Sequence, residues 1–378
     1  MKIMLVRDRN VLNTNWLIYF ANLLAEREHE VLIACDTYSK LGKMAPQFSL
    51  HKNVRVCNLS GKVDNKIIDF YHKVRAKLIP PYFRFNKLIK DENPDVLICY
   101  FPTDLFNVTR FQNHNIPIIQ MLHGRPSLVL NKYLNKPSLL NFFYKKSFKK
   151  INTFHVLIPS FKFDINEWFE PNNIETIANP VEQVDDNEIA NLDTEKKKII
   201  YIARIERNIK QPHVLVEAFN KIAKEFPDWK VEIYGLRKYP DYDKEINDYI
   251  DNNGLNNQVF MMGYSEDLPS IYKSADIHAF PSNCEGFSLA IADGMAYGLP
   301  HVGFKKSPSI NEVIIDGHNG FLADDIDDFA DKLKTLMLDK DLRVKMGKNA
   351  HDDMKDYAPN IIIDKWEELI NKVTTSNK

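Results

Sequence analysis

The stretch SNCEGFSLAIADGMAYGLPHVGFKKSPSINEVIIDGHNGFL, residues 282–322, decides the fold. A short apolar run at residues 275–280 precedes it and predicts a buried strand. Turn-forming residues follow, and then an Ala-rich segment to Tyr297 whose apolar residues recur every three or four positions, which predicts a helix. A Gly-Leu-Pro sequence ends this helix, and residues 301–304 can form the next strand. The stretch therefore predicts a strand, a Gly-containing turn, a helix and a second strand.

The turn before this helix has the chemistry of an anion site. Backbone amides of Gly286, Phe287 and Ser288 would lie at the helix N-terminus, where unpaired N–H groups and the helix dipole favour an anion. Gly286 would also let a ligand approach the backbone closely. Glu285 and Asp293 are poor phosphate ligands, but their carboxylates are good acceptors for hydroxyl groups. Phosphate-binding amides flanked by two such carboxylates suit a nucleotide sugar.

These residues resemble the E-x7-E region of retaining GT-B glycosyltransferases of the family 4 type. The resemblance is carried by Glu-Gly-Phe-Ser-Leu from Glu285, Asp-Gly-Met-Ala from Asp293 and Gly-Leu-Pro from Gly298, and it continues through residues 308–314 and 316–322. One departure is plain, because the second glutamate of the family is Asp293 here, shorter by one methylene. For either carboxylate taken alone, the alternative is an ordinary strand-turn-helix with a solvated Glu and a capping Asp.

The resemblance implies an α/β protein of GT-B fold, with two Rossmann-like doubly wound domains that face each other across a cleft. Residues 1–180 would form the N-terminal, acceptor-binding domain and residues 181–355 the C-terminal domain that binds the nucleotide sugar. Residues 356–378 would form a C-terminal helix that crosses back to the first domain. The length of 378 residues itself favours two domains or more. The polar, acidic stretch at residues 182–198 is the candidate linker.

Two cations follow the first predicted strand of the second half, residues 198–203. Arg204 lies at the end of this strand, and Lys210 precedes the next predicted helix. Two cations in one strand-to-helix loop can neutralise a diphosphate, and Arg can bind it through two hydrogen bonds. Both residues resemble the diphosphate-binding Arg and Lys of the family, with Arg207 as an alternative cation. Solvated loop charges are the alternative interpretation.

In the first half, a buried strand at residues 116–122 is followed directly by His123. This is the carboxyl end of a strand, where α/β sheets place their ligands. The resembled enzymes have a His here that contacts the donor sugar, and a purely structural His is the alternative. Arg125 is a second candidate for the same pocket.

In the first loop, residues 13–15 are polar where the family often has a Gly pair, so that part of the resemblance fails. Dinucleotide and P-loop motifs are absent from the sequence, which disfavours NAD-dependent and P-loop functions.

The near-neutral net charge hides two halves of opposite sign. Residues 1–180 contain 25 Lys and Arg against 15 Asp and Glu, a net charge of +10; residues 181–378 contain 25 against 36, a net charge of −11. Residues 62–90 and 142–150 interleave basic and aromatic side chains, which suits an anionic membrane surface. Amphipathic helices on the sheet with solvated lysines are the alternative. No nucleic-acid-binding motif is found, so we expect no nucleic acid partner.

Composition bears on location and cofactors. The four cysteines, Cys35, Cys57, Cys99 and Cys284, form no CxxC pair, which indicates neither a zinc site nor a disulfide framework and fits a cytoplasmic protein. No apolar run approaches the roughly 20 residues that a membrane span needs. The run of aspartates at residues 324–328 is typical of the acidic start of a helix. The resemblance implies no metal, and we expect no cofactor besides the nucleotide-sugar substrate.

The sequence thus predicts a retaining, metal-independent glycosyltransferase. It would move a hexose or N-acetylhexosamine from a nucleotide sugar, UDP-linked rather than GDP-linked, to a lipid-linked or growing cell-surface glycan. Arg204 and Lys210 would stabilise the leaving diphosphate, while Glu285 would hold sugar hydroxyls and Asp293 the ribose. The expected location is the cytoplasm, including the inner face of the cytoplasmic membrane. The alternatives are a non-catalytic glycosyltransferase-like subunit and a GT-B nucleotide-sugar epimerase, which would need His123 and a nearby carboxylate as an acid/base pair.

Overall fold

The computed structural model describes residues 1–7, 15–35, 49–59, 80–110, 114–135, 138–166, 173–194 and 196–376. The chain divides into two compact units. The first contains Met1–Ile177 and Ile362–Lys378, and the second contains Ala178–Ile361. In the described residues, no helix is both long enough and apolar enough to cross a membrane.

The first unit is built on a parallel sheet with seven described strands, in the order β3-β2-β1-β4-β5-β6-β7. The strands are β1 Lys2–Arg7, β2 Glu30–Cys35, β3 Val54–Asn58, β4 Val96–Cys99, β5 Ile118–Leu122, β6 Thr153–Val156 and β7 Ile174–Thr176. The helices that lie within it are α1 Asn15–Glu26, α2 Pro81–Glu92, α3 Pro102–Thr109, α4 Pro126–Leu134, α5 Leu139–Phe148 and α6 Phe161–Asn166. The central strands are almost wholly apolar because helices cover a parallel sheet on both faces.

The second unit has a parallel sheet with six described strands, in the order β10-β9-β8-β11-β12-β13. The strands are β8 Lys198–Ile202, β9 Lys230–Tyr234, β10 Val259–Gly263, β11 Ile277–Phe280, β12 His301–Phe304 and β13 Gly320–Ala323. The helices are α7 Pro212–Ile222, α8 Pro240–Asn252, α9 Leu268–Lys273, α10 Leu289–Ala296, α11 Ile310–Val313, α12 Ile326–Leu338 and α13 Lys340–Asp353. A last helix, α14 Pro359–Thr375, begins in this unit and continues into the first.

Helix α14 packs on the first unit through its apolar face. The Trp366 ring lies 4.8 Å from Phe20 and 4.4 Å from His155, measured between ring centroids. Beside it, Glu367 Oε1 is 2.8 Å from His29 Nε2. Trp366 is fully buried, so this contact contributes apolar burial to the first unit.

Both sheets share the doubly wound strand order, which reverses between β1 and β4 in the first unit and between β8 and β11 in the second. Ligands of such sheets bind at the carboxyl ends of the strands that flank this reversal. In the second unit these ends lead into the loop that carries Arg204 and Lys210 and into the turn that carries Glu285. The topology therefore brings the two segments predicted for the donor site, the β8 loop and the turn before α10, to one edge of the sheet.

The structure shows how the candidate linker and the run of aspartates, both predicted from the sequence, are built into the second unit. The candidate linker at residues 182–198 has no helix or strand in its described part before β8, but Ala190 and Leu192 are buried in a cluster with Leu299, so this stretch packs on the unit. The run of aspartates does begin a helix, because Asp325 caps α12 by accepting a hydrogen bond from the amide of Asp328 at 2.9 Å.

Candidate active site at the switch point of the second sheet

The loop after β8 is held at both of its ends by one tyrosine. The Tyr201 hydroxyl lies 3.3 Å from the carbonyl oxygens of both Arg204 and Lys210. Burial raises the pKa of Tyr201 well above its usual value, so the hydroxyl keeps its proton and remains a donor. The loop therefore has a fixed path between the strand and helix α7.

The turn after β11 is hydrogen-bonded to this loop. The Ser282 hydroxyl lies 2.8 Å from the Ile209 carbonyl oxygen and 2.5 Å from Glu285 Oε1. The Asn283 amide donates to the same Ile209 carbonyl at 2.9 Å, and the Asn283 side chain donates to the Asn208 carbonyl at 2.6 Å. These bonds join two segments that are far apart in the sequence into one surface.

Lys210 and Glu285 form an ion pair at the centre of this surface. Lys210 Nζ is 2.6 Å from Glu285 Oε1, across 75 residues of sequence, and the side chains are only 15% and 10% exposed. The ammonium also lies 5.2 Å from the ring centroid of Phe280, which stacks on Tyr201 at 5.8 Å. The sequence predicted both charged residues for the site, but it did not predict that they pair directly.

The two arginines of the β8 loop have different environments. Arg204 is exposed and makes no ion pair with any residue in the described part of the chain. Arg207 pairs with Glu245 on α8, and its guanidinium lies 4.8 Å over the ring of Tyr242. Because Arg207 is engaged by its own unit, Arg204 is the better candidate for a ligand's diphosphate.

Helix α10 begins directly after the predicted anion site. Ser288 is its N-cap residue, so the amides of Gly286, Phe287 and Ser288 lie at the helix N-terminus, as predicted. The Phe287 ring packs against Tyr357 at 5.5 Å, which fixes the approach of the turn to the helix. The binding of phosphate by these amides stays a prediction.

The second carboxylate of the motif, Asp293, is half-buried on α10. Burial raises the pKa of Asp293 to about 7, and the charge of Glu182 nearby raises it further. No hydrogen bond to the Asp293 carboxyl is found among the described residues, so both of its oxygens have unused acceptor capacity.

Next to Asp293, Gly294 packs on a pair of buried imidazoles. His278 Nδ1 is 2.8 Å from His301 Nε2, and both rings are fully buried. A Cβ atom at position 294 would lie 2.7 Å from His278 Nδ1 and 2.9 Å from His301 Nε2. Helix α10 can therefore approach β11 and β12 this closely only because residue 294 has no side chain.

The raised pKa of Asp293 predicts a pH-dependent effect of Asp293→Asn on stability. Between about pH 4 and pH 7 the folded chain binds a proton that the unfolded chain, with its ordinary carboxyl pKa of 3.8, has lost. The contribution of Asp293 to the free energy of unfolding is then expected to fall as pH rises, by up to about 1.4 kcal/mol per pH unit. Asn cannot ionise, so the variant's Tm should match the wild type near pH 4 and exceed it at pH 8. Thermal unfolding across pH, with exposed Asp251→Asn as control, checks this; an equal shift at both pH values would contradict it.

His123 belongs to the first unit and follows β5, where the sequence placed it. Its ring stacks on Tyr100 at 4.5 Å and meets Trp16 edge-on at 4.3 Å. Burial holds the pKa of His123 well below its usual value, so the imidazole is neutral. Its contact with a donor sugar stays a prediction. Arg125, the second candidate here, donates to Asp164 at 3.0 Å and is already paired within the unit.

Two stretches that the sequence singled out lie largely outside the described residues. These are the first loop with residues 13 and 14, and residues 62–79 of the first basic and aromatic run.

A buried ion pair at the switch point of a doubly wound sheet, in a chain with two such sheets, agrees with the expected glycosyltransferase of GT-B fold. Two family models match the chain: "Glycosyl transferases group 1" over residues 182–353 and "Glycosyltransferase Family 4" over residues 14–183. Together they account for most of its length. The chain belongs to the group 1, family 4 type of glycosyltransferases.

Relatives cover nearly the whole chain. An uncharacterized glycosyltransferase of Haemophilus influenzae is 26% identical over 93% of this chain and 94% of its own. A Campylobacter jejuni alpha-1,4-N-acetyl-D-galactosaminyltransferase, whose name includes a diNAcBac-PP-undecaprenol glycan, is 23% identical over 94% of both chains. Among solved structures, Staphylococcus aureus TarM in complex with UDP and alpha-GlcNAc-glycerol has a TM-score of 0.75 at 17% identity, over 98% of this chain and 99% of its own. The structural likeness supports the fold.

Proposed function

We propose that this glycosyltransferase is a retaining enzyme that transfers a hexose or N-acetylhexosamine from a UDP-linked donor to a lipid-linked or growing cell-surface glycan. The observation that carries the proposal is the Lys210–Glu285 pair, held by Ser282 at the carboxyl end of β11. A cation that can bind the diphosphate and a carboxylate that can accept hydrogen bonds from the sugar hydroxyls are in contact there. A nucleotide-sugar donor carries both of these groups.

In the proposed mechanism, negative charge develops on the diphosphate as the bond to the sugar breaks. Arg204, Lys210 and the amides at the start of α10 would stabilise this charge, because fixed cations and dipoles act most strongly where charge accumulates. Glu285 would accept hydrogen bonds from the sugar hydroxyls, and Asp293 from the ribose. Because these groups supply the positive charge, we propose that no metal ion is needed. Turnover should then be unchanged by EDTA, and its loss on chelation would contradict this part.

The names of two similar proteins support the donor and acceptor classes. TarM was solved with UDP, and the Campylobacter protein is named for an undecaprenol-linked glycan. Thermal unfolding in the presence of UDP-, GDP-, ADP- and dTDP-sugars tests the donor, since a ligand that binds only the folded state raises Tm. We expect a shift with a UDP-sugar. A shift with only another base would contradict the UDP assignment, and no shift at all would favour the non-catalytic subunit.

Arg204→Ala is expected to weaken UDP binding. Losing one charge-assisted contact costs about 1.5–3 kcal/mol, which corresponds to roughly 10- to 100-fold in affinity. The matched control is Arg207→Ala, because Arg207 lies in the same loop but pairs with Glu245. Titration calorimetry with UDP measures both variants. A larger loss in Arg207→Ala would assign the diphosphate to Arg207, and equal losses would contradict a specific role of Arg204.

We also propose that the first unit rests on an anionic membrane surface. On α5 the exposed face carries Leu139 and Phe142, which are 74% and 62% exposed, followed by the exposed Lys146 and, directly after the end of the helix, the exposed Lys149. The spacing of these four positions puts apolar and basic side chains on one side of the helix. Exposed apolar side chains beside lysines suit the boundary between acyl chains and anionic headgroups. A lipid-linked acceptor would be reached from such a position on the inner face of the cytoplasmic membrane.

Vesicle flotation tests the membrane surface. The protein should float with vesicles that contain phosphatidylglycerol and not with pure phosphatidylcholine. The double change Leu139→Ser and Phe142→Ser should lower binding about 10-fold or more, since each side chain contributes on the order of 1–2 kcal/mol of apolar transfer. Leu338→Ser is the control, because Leu338 is 67% exposed on the second unit. Unchanged flotation of the double variant, or an equal loss in the control, would contradict the proposed surface.

A further inference from the structure

We propose that Ser282 is a positioning residue, which holds the Glu285 carboxylate in the orientation that receives the donor sugar. This inference rests on the proposed function. Ser282 is fully buried just after β11, and its hydroxyl lies within hydrogen-bonding distance of three acceptors: Glu285 Oε1 at 2.5 Å, the Ile209 carbonyl oxygen at 2.8 Å and, more distant, the Cys284 carbonyl oxygen at 3.5 Å.

The single hydroxyl proton of Ser282 is directed to Glu285. A carboxylate is a stronger acceptor than a peptide carbonyl, so it takes the proton when both are within reach. The Ile209 carbonyl does not lose its donor as a result, because the amide of Asn283 donates to it at 2.9 Å. The Ile209 carbonyl therefore keeps a hydrogen-bond donor when Ser282 donates its proton to the carboxylate.

Both recorded donors to Glu285 reach the same oxygen. Lys210 Nζ lies 2.6 Å from Oε1, and the Ser282 hydroxyl lies 2.5 Å from it. Among the described residues no group donates to Oε2. Two donors from different segments fix the rotation of the carboxylate, and Oε2 is left to accept a hydroxyl of the ligand.

Ser282 has a role that Lys210 cannot fill alone. The ammonium of Lys210 is also the cation proposed for the diphosphate, and a bound anion draws it away from Glu285. A hydroxyl carries no charge and is anchored in a strand end, so it stays with the carboxylate when the donor arrives. Ser282 thus keeps Glu285 aligned during the step in which Lys210 is shared with the phosphates.

The test compares Ser282→Ala, Ser282→Thr and Ser307→Ala with the wild type. Ser307 is a matched control, because it is fully buried in the same unit and its hydroxyl has no partner in the described part of the chain. UDP affinity is measured by titration calorimetry, and kcat and KM are measured with the UDP-sugar. UDP has no sugar for Glu285 to contact, so Ser282→Ala should leave UDP affinity within about two-fold while lowering kcat/KM about 10- to 100-fold. Ser282→Thr retains a hydroxyl and should recover part of this loss, and Ser307→Ala should behave as wild type.

Three results would overturn the inference. Unchanged kinetics in Ser282→Ala would show that Glu285 needs no such donor. A parallel loss of UDP affinity would show that Ser282 only joins the two loops. An equal loss in Ser307→Ala would show that any buried serine of this unit gives the same effect.

A second measurement separates this inference from the proposed function, because it needs no substrate. In a double-mutant cycle on thermal unfolding, Ser282→Ala should lower Tm more in the wild type than in the Glu285→Ala background. Additive shifts would overturn the Ser282–Glu285 interaction whatever the enzyme's activity. A wild-type chain that turns over no nucleotide sugar would contradict the proposed function instead.

Discussion

Replacing Glu285 with Gln is expected to lower the rate of sugar transfer by about 100-fold or more, while UDP affinity is retained or increased. The carboxylate is the proposed acceptor for the sugar hydroxyls, and an amide is a weaker acceptor that carries two donors of its own. UDP lacks the sugar, so it loses no contact with this residue. In addition, the change releases Lys210 from its 2.6 Å ion pair and leaves the ammonium to the diphosphate.

Steady-state kinetics with the UDP-sugar and calorimetry with UDP give the two quantities. Glu266→Gln is the matched control, because Glu266 is an exposed carboxylate of the same unit outside the site. Normal turnover in Glu285→Gln would remove this residue from the donor site. A large loss of UDP affinity would mean that the carboxylate supports the nucleotide and not the sugar.

The second large effect is expected from Lys210→Met, which should lower both UDP affinity and turnover. Met fills a similar volume without the charge, so the diphosphate loses a cation, at a cost of roughly 10-fold or more in affinity. The Glu285 carboxylate, only 10% exposed, also loses its counter-ion, which should destabilise the fold by about 1–3 kcal/mol. Lys210→Met is therefore expected to lower UDP affinity and Glu285→Gln is not, although both changes remove the same ion pair.

Thermal unfolding of both single variants and of the double variant measures the pair itself. Lys210→Met should cost less stability in the Glu285→Gln background than in the wild type, because no uncompensated carboxylate is left there. Equal costs in the two backgrounds would show that the ion pair contributes nothing to folding. Unchanged UDP affinity in Lys210→Met would exclude this lysine from the diphosphate site.

The strands β11 and β12 and the helix α10 between them could be predicted because the sequence signals for them are local. Apolar runs with turn residues at their ends gave β11, α10 and β12 close to their observed bounds, and the same approach placed Arg204 and Lys210 after β8. The contact between Lys210 and Glu285 could not be predicted this way. It depends on β8 lying beside β11, and strand order is not encoded in the periodicity of either segment.

The sequence does not reveal residues whose role depends on contacts with segments far away in the chain. From sequence alone Ser282 is one of the turn-forming residues after the predicted strand, because a serine after a proline has that local preference. Its partners, Ile209 and Glu285, are visible only in the folded chain. The edge strand β3 is not predicted from the sequence for another reason. Arg55 lies on it, so the segment lacks a continuous apolar run, and the structure pairs Arg55 with Glu92 on α2.

The packing of Gly294 on His278 and His301 ties these three positions into one mutational unit. A side chain at position 294 alone would collide with both rings, and replacing one imidazole alone would remove the hydrogen bond between them. Substitutions that succeed must therefore occur together, which restricts how this part of the chain can diverge.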